Sequence, residues 1–99
     1  MSVTYRPLPV PPDAAGAEQA VELIRAWVID GQLQVSLFPT VWQENPGEWG
    51  SLLADIAHHI ANALGEKTGR PAEPFLRAIR LGFDAYIKAD DREHSGEFL

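Results

Sequence analysis

Asp55, His58 and His59 form the densest cluster of groups in this 99-residue chain that could ligate a metal or move a proton. They lie in "LLADIAHHIANAL", whose apolar residues recur at helical spacing. On a helix, Asp55 and His59 stand one turn apart on one face, so a carboxylate and an imidazole could share one ion. His58 and His59 point about 100° apart and make a poor chelating pair. No second ligand pair with matching spacing accompanies them, and His94 stands alone near the end. His59 borders the apolar positions Leu52 and Ile56, so partial burial and a perturbed pKa are expected there. That makes it the best single candidate for a base or ligand. The simpler reading, a surface carboxylate bonded to a neighbouring imidazole, is preferred.

Other chemistry finds less support. The absence of cysteine excludes thiol catalysis and disulfides. "NPGEWG" lacks the glycine spacing and lysine of a phosphate loop, and no nucleophile elbow is present. No catalytic or cofactor-binding residue is assigned and no cofactor is expected; Asp55 and His59 remain the weak metal candidates.

Eight Lys and Arg against fourteen Asp and Glu leave a net charge of −6. That balance argues against nucleic acid, whose binders need clustered cations. No apolar run approaches the roughly 20 residues of a membrane span. The opening "MSVTYRPLPVPPD" lacks the apolar core of a secretory signal, so a cytoplasmic location is expected. The length sets one small domain.

The elements that must position any site can be read in order. "AWVIDGQLQVSL" predicts a β-hairpin turning at Asp30-Gly31. A two-residue turn pairs Ile29 with Gln32, Val28 with Leu33 and Trp27 with Gln34, on to Ile24 with Leu37. One face is then Ile24, Ala26, Val28, Leu33, Val35 and Leu37, apolar throughout. The other carries Arg25, Trp27, Ile29, Gln32, Gln34 and Ser36. A three-residue loop would mix the faces, so the two-residue turn is expected. Pro39 ends the second strand.

"NPGEWGSLLADIAHHIANAL" predicts a helix with Asn45 as N-cap, Pro46 at the first helical position and Glu48 completing a capping box. Trp49, Leu52, Leu53, Ile56, Ile60, Ala63 and Leu64 supply its apolar side, and Gly65 or Gly69 ends it. Its length of about 28 Å matches strands of about 23 Å, so it should lie along the hairpin's apolar face. "PAEPFLRAIRLGFDAYIK" predicts a second helix with a buried stripe of Phe75, Ile79, Gly82, Phe83 and Tyr86. Gly82 is expected to allow close backbone approach.

Residues 1–19 read as a proline-rich arm, with four prolines in "RPLPVPPD" and a helical turn capped by Asp13. Residues 20–88 form the domain, and residues 89–99 a polar, solvated tail.

Taken together, "VELIRAWVIDGQLQVSL", "WGSLLADIAHHIANAL" and "IRLGFDA" resemble a family of short bacterial proteins classed as a domain of unknown function. The resemblance spans roughly residues 20 to 86. It implies a small intracellular domain and brings no catalytic or binding residue with it.

The expected architecture is therefore α+β: an antiparallel hairpin with two helices packed on one face, in the order ββαα. A two-stranded hairpin is marginal alone and leaves two edges of unpaired backbone groups. Its Trp27 face is either closed by the arm and the loop around Trp42 or used as a protein–protein surface. A second copy joined at an edge or through that face would extend the sheet. The leading expectation is a noncatalytic homodimeric interaction module or accessory protein, with Arg25, Trp27, Ile29, Gln34 and Phe38 at the interface. The alternative is a small-ligand or metal-binding protein using Asp55 and His59.

Overall fold

The computed structural model describes residues 4–89 and the backbone of residues 95–98. The hairpin forms as its residues dictate. Strands β1 (Ile24–Ile29) and β2 (Gln32–Leu37) pair antiparallel in the expected register, from Ile29 with Gln32 to Ile24 with Leu37. Asp30 and Gly31 both take positive φ, 49° and 82°, the primed geometry that matches the twist of the two strands. The Phe38 N–H donates to the Leu23 carbonyl at 3.0 Å and carries the ladder one pair further.

Pro39 stops β2 and opens a 3-10 turn, Pro39–Trp42. The Trp42 ring meets that of Trp49 edge to face at 5.2 Å, fixing this turn against the first turn of helix α2 (Gly47–Thr68). Such aromatic pairs contribute about 0.5–1.5 kcal/mol beyond their burial. Helix α2 starts without the reciprocal capping box expected of Asn45 and Glu48. The Asn45 amide donates instead to the Glu48 carboxylate at 3.4 Å, and no side chain caps a backbone N–H. The early N–H groups find carbonyls three residues back, Glu48 to Asn45 and Trp49 to Pro46, each at 3.0 Å. Asn45 is thereby taken into the turn that precedes the helix.

Of the two glycines able to end α2, Gly69 does so. It is left-handed at φ 72°, and its N–H donates to the Gly65 carbonyl at 2.9 Å. Pro71 then leads into helix α3 (Ala72–Ile87), which folds back on α2. The short connection brings the backbone of Arg70 and Ala72 against Gly65, where an added Cβ would stand 3.0 Å from the Arg70 carbonyl oxygen. The close approach expected at Gly82 therefore lies at Gly65: a Cβ on Gly82 would meet nothing within 4 Å. The buried stripe expected on α3 also runs out, with Phe83 and Tyr86 exposed beyond half-buried Phe75, Leu76 and Ile79.

The order ββαα holds, and the chain adds a third strand. Within the segment expected to be a solvated tail, β3 (Ser95–Phe98) pairs parallel with β2, Gln34 with Ser95 through Leu37 with Phe98, giving the sheet order β1-β2-β3. The physical reason is the unpaired edge of β2, which a returning strand satisfies; a parallel return needs a long crossover, and α2 and α3 provide it. The short turn Asp13–Gly16, helix α1, precedes the sheet with Pro12 rather than Asp13 at its cap position.

Helices α2 and α3 pack on each other. The hairpin's apolar face is half-buried at Ile24, Val35 and Leu37 and open at its turn end, where Val28 is 73% exposed and Leu33 55%. Among the described residues Ala61 is the one fully buried hydrophobic side chain. The chain exposes 8875 Å², where a compact monomer of 10.9 kDa exposes about 5,600 Å². Its radius of gyration, 15.9 Å, likewise exceeds the about 13 Å of a compact domain this size.

Candidate functional site

Asp55 and His59 do come together on α2, with the His59 Nε2 4.0 Å from the Asp55 Oδ2. Both side chains stand in solvent, 75% and 80% exposed. The burial expected of His59 is not found. Contact with α3 centres α2's buried face on Ala61, and His59 lies about 200° around the helix from it. Among the described residues no three His, Cys, Asp or Glu side chains gather to hold a metal. His94 lies outside the described residues. The pair is a surface ion-pair geometry; Asp55 shares an open hollow with His58, Trp42 and Glu48, and His59 does not line it.

The five interface candidates occupy the second face and the end of the hairpin. Trp27 stacks on Tyr5 of the arm, ring centres 5.4 Å apart and planes 15° from parallel. Arg25 is held as a fork by Glu22: its Nε donates to one carboxylate oxygen at 2.9 Å and a terminal nitrogen to the other at 2.7 Å. Hydrogen bonding from Arg25 holds the Glu22 carboxyl below its ordinary pKa, with the guanidinium charge acting in the same direction. Gln34 and Phe38 are half-buried, and Ile29 remains 44% exposed. Arm residues Pro7, Pro9 and Pro11 run beside Ile24, Ala26 and Trp27 of β1, leaving a shallow cleft of about 230 Å³. This face is partly closed by the chain's own N-terminal segment. Tyr5 is the partner that sequence reasoning missed, because nothing in a proline-rich arm specifies where it lands.

A different surface is open. Between α2 and α3 runs a groove of about 490 Å³ whose apolar lining includes Leu53, Ile56, Ile60, Leu76, Ile79 and Phe83. Leu53, Ile60 and Phe83 are 42%, 45% and 49% exposed. Arg80 and Asp84 also line it, both exposed and neither in an ion pair among the described residues. The helical period had placed Leu53, Ile60 and Phe83 on inward stripes. What it could not give is that α3 covers only part of α2's apolar girth.

Among the described residues no helix is long and apolar enough to cross a membrane. No curated protein matches the chain. A solved structure described as "a putative pyruvate dehydrogenase from the photosynthetic bacterium Rhodopseudomonas palustrus CGA009" is similar, with 32% identity and a TM-score of 0.71. The match covers 91% of this chain and 90% of that one. Residues 7–90 match a family model described as "Domain of unknown function (DUF5076)", and the chain belongs to that family.

Proposed function

We propose that the protein is a noncatalytic homodimeric interaction module or accessory protein. The observation that carries this reading is the poverty of the core. Ala61 alone is fully buried among the described hydrophobic side chains, while Leu53, Ile60 and Phe83 of the helical layer are only about half covered. Net stability is a small difference between large terms, and a domain of this size must bury apolar side chains to offset chain entropy. A second copy would supply the missing burial. In obligate homodimers that burial is inseparable from folding.

The likeness to a structure described as "a putative pyruvate dehydrogenase" brings no site with it. Acting on a small 2-oxo acid would call for an enclosed pocket with convergent polar groups. The open groove here is lined mainly by aliphatic and aromatic side chains, and Asp55 and His59 lie on an exposed helix surface.

Sedimentation equilibrium of the full chain from about 1 to 100 μM tests the reading. The expected mass is twice 10.9 kDa; a monomer across that range overturns it. Turnover of pyruvate with an electron acceptor, above the buffer rate, would overturn the noncatalytic part.

A further inference from the structure

Resting on that homodimer reading, we infer that the second copy docks in the groove between α2 and α3. The result is a four-helix layer around a two-fold axis, with Arg80 of each copy against the partner's Asp84.

Three observations select this surface. The first is area. Leu53, Ile60 and Phe83 are 42%, 45% and 49% exposed along the groove, apolar surface of the kind that a standard interface of about 800 Å² per partner covers. In the helical layer, apolar side chains from two long helices line a continuous open groove, with Leu53 and Ile60 on one wall and Phe83 on the other. Helix α3, 16 residues and about 24 Å long, spans it.

The second is charge. Arg80 and Asp84 stand one turn apart on α3, exposed at the groove and without an ion pair of their own among the described residues. A two-fold axis perpendicular to α3 and passing beside it at the level of Gly82, midway between them, reverses the helix direction in the second copy. It then sets Arg80 over the partner's Asp84 and Asp84 over the partner's Arg80. One surface thus satisfies itself twice, as a two-fold interface requires.

The third is what the other surfaces lack. The edge of β2 is taken by β3, which at four residues offers only a short edge in its place. The edge of β1 has the proline-rich arm beside it, and prolines cannot donate to a new ladder. The open part of the hairpin's apolar face is small, chiefly Val28 and Leu33 at the turn end with Ala26 beside them.

The test uses the full chain and sedimentation equilibrium at low salt. Arg80→Glu places two like-charge contacts across the axis, and Kd should rise about tenfold or more. Arg80→Glu combined with Asp84→Arg restores both pairs in reversed order, and Kd should return to within about threefold of the parent. Val28→Lys, on the exposed hairpin face, should leave Kd unchanged. Helical circular dichroism confirms that each variant is folded, and all three positions are exposed. A parent dimer whose Kd ignores Arg80→Glu overturns the groove while the homodimer stands. So does dissociation by Val28→Lys, which moves the interface to the sheet. A parent protein that is monomeric sinks the homodimer itself.

Discussion

Alanine placed at two helical glycines should change stability in opposite directions. Gly65 and Gly82 both lie inside helices and neither has positive φ. Propensity alone therefore favours alanine at each by about 1 kcal/mol. At Gly82 nothing lies within 4 Å of the new methyl, so Gly82→Ala should realise that gain in full. At Gly65 the methyl would stand 3.0 Å from the Arg70 carbonyl oxygen, 3.5 Å from the Ala72 nitrogen and 3.6 Å from its Cα. The Arg70 carbonyl has little room to retreat. Gly69 before it is locked left-handed by its bond to Gly65, and the Arg70 N–H donates to the Thr68 hydroxyl at 3.3 Å. That hydroxyl in turn donates to the Leu64 carbonyl at 2.7 Å. Overpacking against fixed backbone costs about 1–3 kcal/mol. Set against the propensity gain, Gly65→Ala should lose about 1 kcal/mol, separating the two variants by about 2 kcal/mol. Urea unfolding at one fixed protein concentration reads both numbers, since dimerisation makes the midpoint depend on concentration. If Gly65→Ala stabilises as much as Gly82→Ala, the α2–α3 turn is not as tight as drawn and the reasoning fails.

Tyr5→Ala removes the ring that stacks on Trp27 and should release the arm. In a background with Trp42 and Trp49 replaced by Phe, Trp27 emission should shift to longer wavelength, and proteolysis near Pro7 should quicken; no change in either would place the arm elsewhere. The Glu22–Arg25 fork predicts a pH dependence of defined sign. Because the folded-state pKa of Glu22 is lowered, its contribution is present above the ordinary value of about 4.5 and is lost as pH falls through the depressed one. A carboxyl titration followed by NMR should find Glu22 below 4.5 and returning towards it in Arg25→Gln; a midpoint that ignores that substitution refutes the fork.

Local rules made much of the chain legible. The hairpin register follows from pleat parity and the Asp30-Gly31 turn, and both helices follow from their period and their bounding Pro and Gly residues. What went unread shares one cause: it depends on which surface a given element meets. Three glycines had looked able to mark a helix end or a close approach. Gly69 ends α2, Gly65 takes the close approach and Gly82 does neither, a division decided by how α3 folds back. His59 looked like the edge of a core because Ile56 and Leu52 lie one and two helical turns before it. The buried centre of α2 instead lies at Ala61, where α3 makes contact.

The sequence by itself determined the hairpin with its pairing and the two long helices that follow it, because turn geometry and side-chain period act within a few residues. Only the tertiary structure decided that β3 returns to the edge of β2, that Tyr5 covers Trp27 and that the groove between α2 and α3 stays open. Each of these joins residues far apart in the chain, where loop entropy and competing apolar surfaces select the contact and no local pattern records the choice.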